Sequence, residues 1–503
     1  MPQLRYAAAA LIALALIVLA LLRLEAATDG IIIQYTKAGP APVSVLMPAS
    51  GAKAPVVVIG HGFAGSQQLM LPFAVTLARN GYIAVTFDFP GHGRNTSPLL
   101  GGLANDEARN ADLLASLDSV VKFARTLPEG DGRIAVLGHS MASDIVVRYA
   151  VEHPDVAATV AVSMFSPAVT ATLPHNLLAV AGELEPGPIK DEAARVVALA
   201  AGGMAVERHT YGNFADGTAR RYSFSGSVEH IAVLYSRQSL LEALSWLDAA
   251  FVRHSPGWLD ARAPWLGFLY LGLVLLGWPL ARLLPRVSAV PVGASLHWRR
   301  FLPVALAPAI LTPLILWKLP TDFLPSLLGD YIACHFAVYG LLTAIGLLAA
   351  GVRPVWVWPG WRLPAAALAM AAYFIAFGLP FDRYVTSFIP TPQRALLLLA
   401  IMVGTALYFA ADEWLIRGRP APLGASVASK LCLLGSLIFA IALNPQRLFF
   451  LIIIVPVILA FLIVYGLFAA WAYRRTRHPL AGVFANALAF AWAIAVTFPV
   501  VGR

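Results

Sequence analysis

Ser140 stands in the run Gly138-His139-Ser140-Met141-Ala142, behind the apolar stretch Ile134–Leu137 and ahead of a helix-period segment, Ser140–His153. A serine among small residues at a strand-to-helix turn matches the nucleophile-elbow pattern Gly-x-Ser-x-Gly, with Ala142 in the last place. Small residues are needed because the turn is strained and the strand and helix come close. Upstream, Gly60-His61-Gly62-Phe63 follows the apolar run Val56–Ile59. A loop in that place supplies one oxyanion-hole N–H, and the residue after the nucleophile supplies the other. The backbone amides of Phe63 and Met141 are therefore the candidate donors. The plain alternative for Ser140 is a helix N-cap without nucleophilic work. Asp88, in Phe87-Asp88-Phe89-Pro90-Gly91-His92-Gly93-Arg94, reads as a loop cap rather than a catalyst. His61 and His92 read as loop structure, since no metal-ligand spacing links them, and His139 reads as packing or site lining.

With His61-Gly62, Asp88 with Gly91-His92-Gly93, and Gly138-His139-Ser140-Met141 in view, residues 43–253 resemble the α/β-hydrolase superfamily. The nearest branch is that of dienelactone-hydrolase-like and serine-aminopeptidase-like esterases. The resemblance covers under half of the chain and is strong for fold and machinery, weak for substrate. It implies the order Ser, acid, His. The acid belongs after the run Leu177–Ala181, three residues past a glycine, which is Glu185; Glu183 is the alternate, and a surface-loop role for Glu185 is the bland one. The histidine belongs before the last helix, which selects His230 in Val228-Glu229-His230-Ile231; His209 is its rival. In this scheme His230 takes the Ser140 proton, Glu185 orients the imidazole, and water resolves an acyl-enzyme. No cofactor and no metal is called for. The implied substrates are carboxylic esters, with peptidase or acyltransferase chemistry as relatives of the same mechanism. A transporter or sensor with a non-catalytic hydrolase-like domain is the reading from a different class.

The elements that must position these residues lie between 28 and 255. Short β-branched runs at Ile31–Tyr35, Val43–Met47, Val56–Ile59, Tyr82–Phe87, Ile134–Leu137, Ala157–Val162 and Leu177–Ala181 alternate with helix-period segments such as Asp106–Arg125. Alternating strands and helices predict a mostly parallel sheet, and two strands before the first helix predict an antiparallel edge. Val162 and Leu177 are too close in sequence for an inserted helical cap domain, so the site is expected to be open or covered by lipid or the apolar part of the chain.

Outside this region the composition changes. Of the whole chain, 59% is hydrophobic and 13% charged, against about 45–50% and about 25% in a soluble domain. Two cysteines exclude a disulfide scaffold. The net charge of +9 divides unevenly: residues 26–255 carry 16 basic and 20 acidic residues, and the remainder carries 20 and 7. The basic excess lies among apolar runs, which excludes a nucleic-acid face and points to membrane topology. Residues 1–25 read as an uncleaved signal anchor, because Arg23 and Glu25 occupy the place of a small-residue cleavage region. Residues 262–503 read as an all-α transmembrane bundle of about eight helices. Placing the N-terminus in the cytoplasm assigns 13 Arg and Lys to cytoplasmic segments and 5 to short external loops and the tail, Arg503 among them, or 7 with Arg23 and Arg262, which flank the exported domain. The 28–255 domain is then periplasmic or extracellular, in a multi-pass protein of the cell membrane, with membrane lipid and a small-molecule or lipid ester as expected partners. Asp330, His335, Asp382, Asp412 and Glu413 fall near span ends and read as interfacial polar groups. The oligomeric state is left open.

Overall fold

A computed structural model describes residues 2–353 and 359–502; Arg503 lies outside them. Two compact units are present, and neither is continuous in sequence. One comprises residues 19–268, 380–389 and 499–503. The other comprises 1–18, 269–379 and 390–498.

The first unit is built on eight strands: β1 (Ile31–Ala38), β2 (Ala41–Pro48), β3 (Ala54–Gly60), β4 (Ile83–Phe87), β5 (Gly130–His139), β6 (Ala158–Val162), β7 (Leu177–Gly182) and β8 (Arg220–Ser225). They form one sheet in the order β1-β2-β4-β3-β5-β6-β7-β8. The pairs β1/β2 and β2/β4 are antiparallel; all others are parallel. Of α1 (Pro2–Ala26) only residues 19–26 belong to this unit; its other helices, in chain order, are α2 (Leu71–Arg79), α3 (Asp106–Arg125), α4 (Met141–Glu152), α5 (Gly187–Ala201) and α6 (Arg237–Phe251).

Alternation along the central strands explains why both sheet faces are covered. Val57, Ile59, Ala135 and Leu137 pack with Phe73 and Leu77 of α2 and Leu244 and Leu247 of α6. Their neighbours Val56, Val58, Ile134 and Val136 face Leu113 and Leu117 of α3 and Val146 of α4. Each of the larger side chains buried here contributes roughly 1.5–3 kcal/mol. Residues 163–176, between β6 and β7, form turns and bends without a helix. The strand β8, of sequence Arg-Arg-Tyr-Ser-Phe-Ser, is absent from the apolar runs in the sequence; it enters at the sheet edge, mostly buried.

Two distant segments complete this unit. Ser66 Oγ accepts from Ser387 N at 2.9 Å and lies 3.1 Å from Thr386 Oγ1. Arg94 pairs with Asp382. Val500 N donates to the Gly91 carbonyl at 2.8 Å, and Leu99 N donates to the Val500 carbonyl at 2.8 Å. A Cβ on Gly91 would stand 2.3 Å from the Val500 oxygen, so this glycine is required by the close approach of the tail.

The second unit contains most of α7 (Arg262–Leu280), then α8 (Trp298–Leu316), α9 (Gly329–Ala349), α10 (Arg362–Tyr384), α11 (Pro392–Leu415), α12 (Ala425–Leu443), the short α13 (Pro445–Leu448), α14 (Leu451–Thr476) and α15 (Leu480–Thr497). Among the described residues, nine helices of the chain are long and apolar enough to cross a membrane. The expectation of interfacial polar groups needs correction for this unit. Asp330, His335, Asp412 and Glu413 are buried. His335 Nε2 lies 3.0 Å from Ser436 Oγ, Asp412 accepts from Ser429 and Lys430, and Glu413 pairs with Arg417 at 2.9 Å. Their height along a helix was legible, but the face that α9, α11 and α12 turn toward one another was not. Asp382 belongs to the first unit, through Arg94.

Candidate active site

Strand β5 delivers Ser140 to the end of the sheet, and α4 starts at Met141. Ser140 has φ 54° and ψ −116°, a backbone state that a non-glycine residue holds only where its surroundings impose it. The surroundings are small. A Cβ on Gly138 would fall 2.3 Å from the Ala142 carbonyl oxygen, and one on Gly60 would fall 3.0 Å from the Ala142 methyl. The glycine of β3 makes room for alanine at the last place of the elbow. Ser140 precedes α4, yet its side chain makes no capping bond. Its Oγ lies 2.9 Å from His230 Nε2 instead.

His230 Nδ1 lies 3.0 Å from Glu185 Oε2. Glu185 is fully buried at its side chain, where its other oxygen accepts from Ser163 Oγ at 2.6 Å and Gly182 N at 2.9 Å. Those two donors fix the carboxyl group and aim its second oxygen at the imidazole. The structure thus joins Ser140, His230 and Glu185 in one relay. Glu183 turns away and accepts from Ser227 N at 2.8 Å. His209 lies exposed and stacks edge-on against Tyr211. The His230 loop is pinned by Glu229, whose carboxylate accepts from Ile231 N at 2.9 Å and Ala232 N at 2.8 Å.

Phe63 and Met141, the candidate oxyanion donors named from sequence, lie on segments adjoining Ser140. A Cβ on Gly62 would stand 3.1 Å from Ser140 Cβ, so the loop carrying Phe63 packs on the elbow. Met141 is the first residue of α4, where N–H groups have no partner within the helix. Asp88 works as a loop cap: it accepts from Gln67 N at 2.8 Å and Arg94 N at 3.0 Å.

Three other histidines near Ser140, His61, His92 and His139, make contacts to the backbone. His61 donates from Nδ1 to the Gly62 carbonyl at 2.8 Å and accepts from Phe89 N at Nε2, 3.2 Å away. Burial lowers its pKa, against the opposing pull of Asp88. His92 lies 2.8 Å from the Pro90 carbonyl through Nδ1. His139 places Nε2 2.9 Å from the His230 carbonyl. Burial, and then the neighbouring His230, hold His139 well below the ordinary histidine range. It is therefore neutral at pH 7 and donates to the backbone that carries His230.

Sequence reasoning missed Ser163. Its signal was positional: it follows β6 directly, at the strand end adjoining the acid-bearing end of β7, and its N–H donates to the Val180 carbonyl. Among the described residues no group of three or more His, Cys, Asp or Glu is arranged to hold a metal ion.

Residues 51–215 match the family model described as Hydrolase_4: serine aminopeptidase, S33. This part of the chain is similar to that family, and its mostly parallel sheet is α/β-hydrolase-like. Similar solved structures include an epoxide hydrolase from Vigna radiata, with 18% identity, covering 28% of this chain and 40% of that one at a TM-score of 0.23. A hypothetical protein from Pseudomonas aeruginosa is 12% identical over 44% of this chain and 94% of its own, with a TM-score of 0.32. E-2-(acetamidomethylene)succinate hydrolase is 14% identical over 44% and 100%, with a TM-score of 0.31. The chain spans about 40% of the length of the epoxide hydrolases it matches. No curated protein matches the sequence.

Proposed function

We propose that the α/β-hydrolase domain is a serine hydrolase that cleaves carboxylic esters through an acyl-enzyme. The observation that carries this reading is the Ser140–His230–Glu185 relay, with contacts of 2.9 and 3.0 Å. His230 removes the Ser140 proton as Oγ attacks the acyl carbon. Glu185 holds the imidazole with its proton on Nδ1 and stabilises the imidazolium that forms. The amides of Phe63 and Met141 receive the oxyanion, each worth about 3 kcal/mol in the transition state. His230 then passes the proton to the leaving alkoxide, and water repeats the cycle on the acyl group. The epoxide hydrolases among the similar structures lend no substrate to this chain, because their likeness is confined to part of the fold.

The nine apolar helices support placing the protein in a membrane, and the charge distribution supports an external hydrolase domain with lipid or acylated esters within reach. Labelling of isolated membranes with a fluorophosphonate tests the chemistry. Wild-type protein should be labelled and Ser140→Ala should not; a folded wild type that resists the probe would remove the reading. A membrane-impermeant fluorophosphonate applied to spheroplasts tests the orientation, since only an external serine reacts.

The name of the matched family supports a second reading, an aminopeptidase on the same relay. Acyl p-nitrophenyl esters and aminoacyl p-nitroanilides separate the two: turnover of the anilides at comparable kcat/KM would favour the peptidase.

A further inference from the structure

Two adjoining cavities lie within the helical unit. The first, about 320 Å³, is lined by Arg282 and Arg286 just beyond α7 and by Arg474, Arg475 and Arg477 at the end of α14. From residue 263 onward the chain contains only five carboxylates, Asp322, Asp330, Asp382, Asp412 and Glu413. Asp412 and Glu413 are engaged by Lys430 and Arg417, and Asp382 by Arg94. Among the described residues none of the five arginines of the cavity makes an ion pair. Tyr6, Trp278 and Trp471 complete the walls. Arg282 lies 4.5 Å from the Tyr6 ring centroid and donates to its hydroxyl at 3.0 Å.

The arginines are held facing one another by backbone contacts. Val287 N and Ser288 N both donate to the Thr476 carbonyl at 3.0 Å, and Arg475 Nε donates to the Leu284 carbonyl at 3.0 Å. The segment after α7 is thereby tied to the last turn of α14, and five positive charges are kept together without a counter-charge. Such a cluster of like charge attracts an anion.

The second cavity, about 250 Å³, is apolar, with Leu280, Met370, Phe374, Phe468 and Ala472 in its walls. Ala281 lines both cavities. A cationic cleft with tryptophans in its walls, sharing Ala281 with an apolar cavity, matches an amphiphile with an anionic head.

We infer that the joined cavities bind one anionic phospholipid, its phosphate among the five arginines and part of an acyl chain against Met370 and Phe468. The inference rests on the reading of the helices as membrane spans and is independent of the chemistry at Ser140.

The test uses the full chain in detergent, titrated with phosphatidylglycerol, phosphatidylcholine or inorganic phosphate and followed by native mass spectrometry. One phosphatidylglycerol should be retained per chain in preference to phosphatidylcholine. Arg282→Gln with Arg474→Gln should weaken that retention roughly thirtyfold. Arg299→Gln with Arg300→Gln removes the same charge at the start of α8, outside the cavity, and should leave retention unchanged. Ala369→Trp fills the apolar cavity and should release the lipid while phosphate still binds. Each variant is first shown to keep the wild-type thermal transition. Equal weakening by the two arginine pairs would assign the effect to general surface charge and overturn the inference. Equal retention of the two lipids would overturn it as well. If Ala369→Trp leaves phosphatidylglycerol binding intact, no acyl chain occupies the apolar cavity and the inference is overturned. Ser140→Ala should retain lipid as the wild type does, so failure here and failure of the proposed hydrolysis read out separately.

Discussion

At the residue scale, Glu185 does two jobs with two oxygens. One is saturated by Ser163 and Gly182, and the other meets His230. Glu185→Gln presents an amide to that site and favours the wrong imidazole tautomer. It should lower kcat on an acyl ester by a factor on the order of 10⁴ while leaving the thermal transition in place. Removing only Ser163 Oγ should cost far less. His61 and His139 make a second argument, through pH. Both are buried with lowered pKa values, so the folded state keeps them neutral where the unfolded chain takes up protons at about 6.5. Their contribution to stability is complete above that pH and is lost as pH falls below it. Two such groups give a slope of up to about 2.7 kcal/mol per pH unit. Thermal unfolding between pH 7.5 and 5 should show a steady fall in Tm, and His139→Gln should flatten it. An unchanged slope in that variant would remove His139 from the account.

At the element scale, the elbow depends on how β3, β5 and α4 fit. The Ala142 methyl faces Gly60, with the Phe89 ring 3.1 Å from a Cβ built there. Gly60→Ala should overpack this junction at a cost of about 1–3 kcal/mol and slow fluorophosphonate labelling. Adding Ala142→Gly should recover part of both losses; labelling rates of the single and double variants measure the coupling. These elements were also the most legible in the sequence, because a buried parallel strand that runs through small residues into a helix-period segment suits few local structures besides an elbow. The position of Ser140 followed from that alone. Glu185 and His230 needed the resemblance, since the distance in sequence from Ser140 says only that helices and strands intervene. Strand β8 escaped notice because Arg220 and Arg221 open it and serines alternate with its aromatics. Its place is set by pairing with β7, a contact that no local pattern records.

At the scale of the whole molecule, the unit that carries the sheet comprises residues 19–268 together with 380–389 and 499–503. The loops after β3 and β4 are braced by Thr386 and Ser387, by Asp382, and by Val500. A fragment of residues 28–255 lacks all of these. It should melt below the full chain and label more slowly with fluorophosphonate, and hydrogen exchange should rise most at residues 61–68 and 91–99. Equal exchange in fragment and full chain would show the braces to be dispensable. Composition divides the sequence cleanly into a polar region and an apolar one. It carries no trace of the short returns at 380–389 and 499–502, because a few residues between helices bear no periodicity.

Those returns set an order of assembly. The strand, turn and helix around Ser140 can assemble as soon as they leave the ribosome. The Ser66 loop then waits for Thr386 and Ser387, and the Gly91 loop waits for Val500. A chain whose synthesis halts among the helices therefore carries a serine and a histidine but an unsupported pair of loops beside them. On the proposed function, hydrolysis would then begin only on a chain whose helices have already been made.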